Sequence, residues 1–361
     1  MSTLKKGFDT KKYIAAELGA IKKRARLFEC RLYLEIGGKL YADNHAARVL
    51  PSYAPDTKVR LLKKLNEKID IVHCISTKMI ESGKMRGDSL LLYSDQLIKD
   101  IEDLESKGLE SSTVFISRIS ESTRRLAEKM KRKIAKEDNG LKILLGYEIA
   151  DYPNNIKIIL SDKGYGRQDY FDTKSRIVVI TAPGPGSGKM AFCMAQMYKD
   201  RKHEVGGIKS GYAKLETFPV WNLPLNHPVN IAYEAATADI GDYNVIDRFH
   251  KQAYGISAVN YNRDVKNFEI LKKIIDAMTA ENDPLRNYKS PTDMGIGMTK
   301  VGITNDRIVR EAAKAEIIRR YNSYREGFAA GYVSKETLGR MEKILEKSGF
   351  SDKADEVLKS S

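Results

Sequence analysis

The strongest chemical signal in the sequence is a glycine-rich turn between a predicted strand and a predicted helix. Residues 176–200 read RIVVITAPGPGSGKMAFCMAQMYKD. Glycines let backbone N–H groups converge on an anion, the helix N-terminus adds its positive dipole end, and lysine supplies a charge. The turn therefore predicts a phosphate-binding loop formed by Gly184, Gly186, Ser187, Gly188 and Lys189.

This loop departs from the consensus G-x-x-x-x-G-K-[ST] at two positions. Pro183 replaces the first glycine, and Met190 replaces the hydroxyl residue that follows the lysine. Because that hydroxyl binds Mg²⁺ in the consensus, conventional metal-assisted hydrolysis of a nucleotide is in doubt. The alternative interpretation is a turn that needs its glycines only for tight packing.

Further lysines follow one helix later. Residues 203–219 read HEVGGIKSGYAKLETFP, which predicts a short strand running into Lys209. The order strand, phosphate loop, helix, and strand ending in lysine resembles the start of the dethiobiotin-synthetase-like branch of P-loop proteins. The resemblance covers only about 35 residues and implies that Lys209 and Lys214 are additional phosphate ligands.

A carboxylate that holds Mg²⁺ through water is expected near such a loop. The run NIKIILSD, residues 155–162, predicts a strand that ends in Asp162, which is our candidate metal ligand. Asp239 and Asp242 are the alternatives. Whether Mg²⁺ is used at all stays open, since Met190 offers it no ligand.

The densest group of histidines and carboxylates spans residues 227–250. Such side chains can act as acid and base or ligate a divalent metal, or they can anchor loops by hydrogen bonds. The motifs H-E-x-x-H and G-x-S-x-G are absent, so the sequence does not support a zinc peptidase or a serine hydrolase. Our candidates for catalysis are Asp239, Asp242, His227 and His250.

Helices alternate with apolar strands on both sides of the loop. Helices are predicted around 57–69, 95–107 and 121–136, and strands over 69–75, 112–118, 142–147, 155–162 and 176–182. This alternation predicts an α/β fold with a largely parallel sheet, a P-loop-like strand-loop-helix unit and a helical C-terminal part.

Two other segments have different patterns. Residues 31–42 alternate and turn at Gly37-Gly38, which predicts a β-hairpin. Residues 205–299 are rich in proline, tyrosine and asparagine, which is typical of loops that form a site. We divide the chain into an N-terminal α/β domain (1–170), a phosphate-binding and polar-loop domain (171–300) and a helical C-terminal segment (301–361).

The chain has 361 residues and a net charge of +14, of which +12 falls in residues 1–204 and −1 in residues 205–299. Most of the basic side chains lie on the outer faces of predicted helices, so nucleic-acid binding is the least favoured function. Three cysteines without metal spacing favour a reducing compartment. With neither a leader nor an apolar run of about 18 residues, we expect a cytoplasmic protein that does not bind membranes.

Several long segments together resemble one bacterial family. The stretches LYLEIGGKLYADNHAARVLPSYAPDTKVR, VVITAPGPGSGKM and YKSPTDMGIGM are similar to the DUF1846 family, also called UPF0371. The resemblance spans nearly the whole chain and implies no established function. The family loop itself resembles TAPGPGSGKM, with proline and methionine included. Members are usually longer, with a further C-terminal region.

The residues favour a protein that binds ATP, another nucleotide or another phosphorylated small molecule at residues 184–190. The reaction would be phosphoryl transfer or ATP-dependent ligation, with the polar loops over 216–293 as the acceptor pocket. The alternative is a binding or assembly protein without turnover, which Met190 favours. Substrate and oligomeric state stay open, including a homo-oligomer.

Overall fold

The computed structural model describes residues 6–28, 30–86, 89–137, 140–203 and 209–349. Within these ranges no helix is both long and apolar enough to cross a membrane. A seven-stranded parallel sheet forms the centre, in the order β4-β3-β2-β5-β1-β6-β9. Its strands are β1 (Leu32–Ile36), β2 (Ile69–Ser76), β3 (Thr113–Ile119), β4 (Lys142–Tyr147), β5 (Ile177–Thr181), β6 (Gly211–Leu215) and β9 (Gly295–Ile296).

The middle of the sheet is buried on both faces. Every residue of β1 and β5 is buried, and β5 lies between β2 and β1 with its residues in parallel register to both. Strands covered on both faces carry continuous apolar runs, which is why IVVIT and LYLEI could be recognised as interior strands. The predicted α/β fold with a parallel sheet is confirmed.

Helices cover both faces of the sheet. A second, two-stranded antiparallel sheet pairs β7 (Asn244–Ile246) with β8 (Val259–Tyr261). The helices are α1 (Thr10–Arg26), α2 (Asn44–Val49), α3 (Thr57–Lys63), α4 (Thr77–Glu81), α5 (Tyr93–Ser106), α6 (Arg124–Glu137), α7 (Ile156–Ile159), α8 (Lys189–His203), α9 (Pro228–Ala236), α10 (Arg248–Tyr254), α11 (Asn262–Met278), α12 (Pro291–Met294), α13 (Thr299–Gly302), α14 (Asp306–Ala329) and α15 (Lys335–Ser348).

The strand order creates a crevice at one edge of the sheet. The chain leaves β5 through α8 toward β6, but it leaves the neighbouring strand β1 in the opposite direction, toward β2. Ligands of open α/β sheets bind at such a switch point, outside the carboxyl ends of the strands. The glycine-rich loop follows β5 and therefore lies at this edge.

Three predictions of secondary structure were wrong. Residues 31–42 form no hairpin, because β1 pairs in parallel with the distant strands β5 and β6. The run NIKIILSD contains α7, a single helical turn in which the Asn155 side chain accepts a hydrogen bond from the Ile158 N–H. The supposed loop region 205–299 contains α11, whose apolar face buries Val265, Phe268, Leu271, Ile274 and Ile275.

The central sheet takes strands from both sides of residue 170, the boundary between the first two predicted domains. The helical C-terminal part is joined to the rest by an ion network around one buried carboxylate. Glu316 of α14 accepts hydrogen bonds from Arg48 of α2 and from Arg319 and Arg320 of its own helix. Its side chain is 0% exposed, so this network fixes α14 against α2.

Candidate functional site

The glycine-rich loop runs from the end of β5 to the first residue of α8. Two of its residues have left-handed backbone conformations, Gly186 with φ +76° and Gly188 with φ +93°. Alternating left-handed residues turn successive backbone N–H groups toward a common point and create a concave anion site. This concavity lies at the N-terminus of a 15-residue helix, where the helix dipole also favours an anion.

Ser187 lies between these two glycines and is almost fully buried, with 1% of its surface exposed. Its Oγ has no hydrogen-bond partner among the residues that the structure describes. The Ser187 carbonyl accepts a hydrogen bond of 2.8 Å from Ser117 Oγ at the end of β3. The loop therefore holds a buried hydroxyl donor that has no partner within the described ranges, and its backbone is anchored to the sheet.

Close packing explains two of the glycines. A Cβ atom on Gly184 would lie 2.4 Å from the ring of Tyr93, the first residue of α5. A Cβ atom on Gly188 would lie 2.4 Å from Ser117 Oγ. By contrast, a Cβ on Gly186 would meet nothing within 4 Å. Gly186 is thus required for its conformation alone, and the packing interpretation does not account for it.

Lys189 extends from the first position of α8 toward the neighbouring strand β1. Its Nζ lies 3.7 Å from Oε1 of Glu35, near the carboxyl end of β1. Glu35 is buried, and its Oε2 accepts a 2.9 Å hydrogen bond from the Tyr212 hydroxyl. A carboxylate beside the loop was expected, but the sequence analysis missed Glu35. The sequence feature that could have identified it is the apolar run LYL, which is followed directly by Glu35.

Asp162 and Lys209 do not lie at the loop. Asp162 acts electrostatically on Lys199 and Lys202, which lie toward the far end of α8. At 1.5 Å per residue, Lys199 is about 15 Å from the start of that helix. Lys209 precedes β6, whose first residue is level with the first residue of β5, so it lies at the opposite edge of the sheet. The structure therefore brings neither residue to the loop.

Lys214 lies toward the same edge of the sheet as the loop, but two carboxylates already neutralise its charge. Its Nζ is 2.6 Å from both Glu216 Oε1 and Asp264 Oδ2, and it stands 4.4 Å from the ring centre of Tyr261. Burial alone would lower the pKa of Lys214, yet its ion pairs with Asp264 and Glu216 hold that pKa well above the ordinary value. Lys214 is a permanent cation that already has its counter-ions.

Glu216 is the most strongly perturbed carboxyl group of this cluster. Burial raises its pKa to about 7, against the attraction of Lys214, which lowers it. The negative charges of Asp264 and Glu35 raise it further. A carboxyl group that titrates near neutral pH is suited to proton transfer. The sequence analysis did not single out Glu216, because its environment depends on residues from three separate segments.

Asp242 adjoins this cluster. Its Oδ2 lies 2.5 Å from Nη2 of Arg263, the second residue of α11, and its Oδ1 has no hydrogen-bond partner within the described part of the chain. Burial raises the pKa of Asp242, the Arg263 charge lowers it, and the neighbouring Asp264 charge raises it again. Asp242 is therefore placed with Lys214 and Glu216, as a candidate that the sequence analysis did name.

Asp239 contacts α14 and lies near Tyr93. It accepts a 3.3 Å hydrogen bond from the Tyr324 hydroxyl of α14. Its charge also contributes to raising the pKa of Tyr93, after the larger effect of burial. Since Tyr93 packs on Gly184, Asp239 belongs to the surroundings of the loop.

The two histidine candidates anchor loops. His227 begins α9, where its Nδ1 accepts from the Val229 N–H and its Nε2 lies 3.0 Å from Asp306. Burial lowers the pKa of His227. His250 Nδ1 lies 3.1 Å from Ser290 Oγ. These contacts fit the interpretation that both histidines are structural residues held by hydrogen bonds.

A protein-bound metal finds little support in the described ranges. No group of three or more His, Cys, Asp or Glu side chains there could hold a metal ion. The carboxylates at this edge are each paired with a cation: Glu35 with Lys189, Asp242 with Arg263, and both Glu216 and Asp264 with Lys214. Met190 packs against the hydrophobic core and offers no oxygen.

Comparison with known proteins matches residues 6–349 to the family described as "Domain of unknown function DUF1846, N-terminal". A UPF0371 protein of Clostridium tetani is 45% identical over 344 residues, which cover 95% of this chain and 66% of the relative. UPF0371 proteins of Clostridium botulinum (Kyoto / Type A2) and Streptococcus pyogenes (Manfredo) are 44% and 43% identical, over 98% and 95% of this chain and 68% and 67% of their own lengths. The chain thus spans about two thirds of each relative.

Proposed function

The chain belongs to the DUF1846 family, and from the geometry of the loop after β5 we propose that it binds a nucleotide or another phosphorylated small molecule there. One observation carries this proposal. The buried Ser187 hydroxyl, without a partner among the described residues, lies between two left-handed glycines at the start of α8. Backbone N–H groups, a hydroxyl donor and the helix dipole then favour an anion at one point.

Lys189 would supply the charge that neutralises the terminal phosphate. It now faces Glu35 at 3.7 Å, a separation at which the ion pair is weaker than a direct hydrogen bond. A phosphate with two negative charges competes well for that ammonium group. Binding would therefore move Lys189 from Glu35 to the ligand, while Tyr212 keeps its hydrogen bond to Glu35.

Gly184, Gly186 and Gly188 would let the loop backbone approach the phosphates closely. Lys214 would not bind phosphate directly, because Glu216 and Asp264 both contact it at 2.6 Å. It would instead hold those two carboxylates beside the bound ligand. These roles of Lys189 and Lys214 differ from the dethiobiotin-synthetase-like pattern, in which the second lysine reaches the phosphates.

We propose phosphoryl transfer from a nucleotide such as ATP as the reaction. The carboxylates of Glu216 and Asp264 contact Lys214 of β6, and Asp242 lies close to them. They would surround the second substrate. Mg²⁺ would arrive with the nucleotide, because Met190 stands where a magnesium-binding hydroxyl is usual. Glu35 would be the carboxylate beside the phosphates.

Isothermal titration calorimetry with ATP, GTP, pyrophosphate and sugar phosphates tests the binding proposal. Lys189→Ala should weaken the best ligand at least tenfold, because it removes the charge at the loop. Lys202→Ala is the matched control: it removes the same charge from the same helix, about 20 Å away along α8. Equal affinities for the wild type and Lys189→Ala, or no binding by the wild type, would refute the proposal.

A second candidate function is phosphometabolite binding without turnover. It is favoured by Met190, whose side chain packs against the core where a magnesium-binding hydroxyl is usual. In that case ligand affinity would be the same with Mg²⁺ and with a chelator, and bound ATP would stay intact. A cytoplasmic location stays our proposal, consistent with free cysteines at Cys30, Cys74 and Cys193.

A further inference from the structure

The charges around Glu216 do not balance. Four carboxylates, Glu35, Asp242, Glu216 and Asp264, face three cations, Lys189, Arg263 and Lys214. Two of the carboxylates have their own cation, but Glu216 and Asp264 share Lys214. Mostly buried like charges that share one counter-ion cannot both ionise easily. One added proton would balance the charge of this cluster.

Burial and helix position favour Glu216 as the carrier of such a proton. The Asp264 side chain is 25% exposed, against 12% for Glu216. Asp264 also lies in the first turn of α11, where the helix dipole stabilises its negative charge. The hydroxyl of the neighbouring Tyr261 donates to the Phe218 carbonyl instead of to Glu216. Burial accordingly brings the pKa of Glu216 to about 7.

The path from Glu216 to the phosphate loop crosses a turn without side chains. Glu216 follows β6 and the loop follows β5. Strand β1 lies between them and is followed by Gly37-Gly38. Neighbouring strands are about 4.8 Å apart, so β5 and β6 are about 10 Å apart. Glu216 packs so closely on Gly37 that a Cβ there would lie 2.9 Å from its Cγ. A small molecule over this turn would touch Glu216 on one side and the phosphates on the other.

We propose that Glu216 is the general base for a hydroxyl group on a second substrate, which sits over Gly37-Gly38 beside the phosphate loop. This inference rests on the proposed phosphate binding and defines the acceptor class. The excess of negative charge disfavours a carboxylate acceptor, and a hydroxyl needs a base where a carboxylate does not. The reaction is therefore phosphoryl transfer to a hydroxyl rather than ligation.

The proposed step transfers the terminal phosphoryl group to the acceptor hydroxyl. The hydroxyl oxygen forms a bond to the terminal phosphorus of a nucleoside triphosphate, and its proton passes to the Glu216 carboxylate. The bond from that phosphorus to the bridging oxygen breaks, and the electron pair leaves with the nucleoside diphosphate. The products are the phosphate ester, the diphosphate and a proton on Glu216, which is then released to solvent. Lys214 and Asp264 keep Glu216 in place.

Two measurements on the whole chain test this proposal. The first is ¹³C NMR of protein labelled at the glutamate carboxyl carbons, with the Glu216 signal identified by its loss in Glu216→Gln. It should titrate near pH 7. The second is phosphate release from Mg²⁺-ATP between pH 5.5 and 9, with water as the simplest hydroxyl. The wild-type rate should rise about tenfold per pH unit below 7 and then level off.

Glu216→Gln should lower that rate about 10²- to 10⁴-fold and remove its pH dependence, with ATP affinity nearly unchanged. Asp264→Asn should shift the midpoint of the rate profile to lower pH, because Lys214 then forms an ion pair with Glu216 alone. Titration of Glu216 near 4.5, a wild-type rate in Glu216→Gln, no shift in Asp264→Asn, or ATP bound without phosphate release would each overturn the assignment. Failure of the wild type to bind ATP would instead refute the phosphate site.

Discussion

Lys189 Nζ and Glu35 Oε1 lie 3.7 Å apart, joining the first residue of α8 to the end of β1 across the crevice of the sheet. Glu35 is buried and accepts a hydrogen bond from the Tyr212 hydroxyl, whereas its distance to the lysine is longer than a hydrogen bond. The pair places a cation beside the loop whose backbone we propose to bind the phosphate. Its geometry suits a lysine that exchanges one anionic partner for another.

Glu35→Gln should strengthen metal-free binding of pyrophosphate about three- to tenfold. The substitution keeps an acceptor for Tyr212 but removes the charge that competes with phosphate for Lys189. An electrostatic gain of about 1 kcal/mol corresponds to roughly fivefold in affinity. Calorimetry in the presence of a chelator measures it, with the exposed substitution Glu269→Gln as control. Weaker binding by Glu35→Gln would argue that Glu35 helps the phosphate site in another way.

Gly186→Ala should weaken phosphate binding and cost about 1–2 kcal/mol of folding free energy, because an L-residue resists its φ of +76°. No neighbour would clash with the new methyl group, so the effect reports conformation alone. The matched control is Gly19→Ala in the exposed interior of α1, where a Cβ also meets nothing within 4 Å. That control should stabilise the chain by up to about 1 kcal/mol. Urea denaturation checks both values; a neutral Gly186→Ala would contradict the loop conformation.

Glu316→Gln should destabilise the chain by about 3 kcal/mol. Its buried carboxylate accepts hydrogen bonds from Arg48, Arg319 and Arg320, which link α14 to α2. The exposed pair of Glu269 and Arg248 offers a control with the same substitution, since Glu269→Gln should change stability by less than about 1 kcal/mol. Equal effects of the two variants in chemical denaturation would show that the Glu316 network does not hold the helical part in place.

Glu17 predicts a pH dependence of stability. Burial raises its pKa from 4.5 to about 7, although the hydrogen bond from the Met298 N–H lowers it. The folded state therefore binds this proton more tightly than the unfolded state, and the resulting stability is complete below pH 4.5 and lost as the pH rises through 7. Relative to the wild type, Glu17→Gln should gain about 2 kcal/mol between pH 5 and pH 8.

Denaturation curves of both proteins at pH 5, 6.5 and 8 measure this difference. The buried residues His45, His73 and His227 have lowered pKa values. They make the folded state more stable as the pH rises, which is the opposite trend to that of Glu17. They are present in both proteins, so their contributions cancel in the comparison. A difference that does not vary with pH would mean that Glu17 is ionised throughout.

The sequence was most informative where one segment determines its own environment. Apolar runs such as IVVIT predicted buried strands, and the glycine-lysine turn after β5 was placed correctly between a strand and a helix. The Gly37-Gly38 turn misled, because it is typical of hairpins, whereas the partners of β1 come from segments about 140 residues or more further along the chain. α11 was missed amid prolines, although its buried residues have helical spacing.

The carboxylate cluster depends on tertiary contacts. Lys214 and Asp264 are separated by 50 positions and Glu35 comes from yet another part of the chain, so no local pattern joins them. The pKa of Glu216 depends on burial and on these three neighbours. Asp162 was chosen because its segment resembled a strand, and the error in secondary structure carried over into the site.

The most direct test of the central claim is a crystal structure with a non-hydrolysable ATP analogue and Mg²⁺. We expect the terminal phosphates within about 3 Å of the backbone N–H groups of residues 186–189. The Lys189 ammonium should have moved from Glu35 to the phosphate, and the Ser187 hydroxyl should donate to it. Phosphate density elsewhere on the chain, with Lys189 still against Glu35, would contradict the claim.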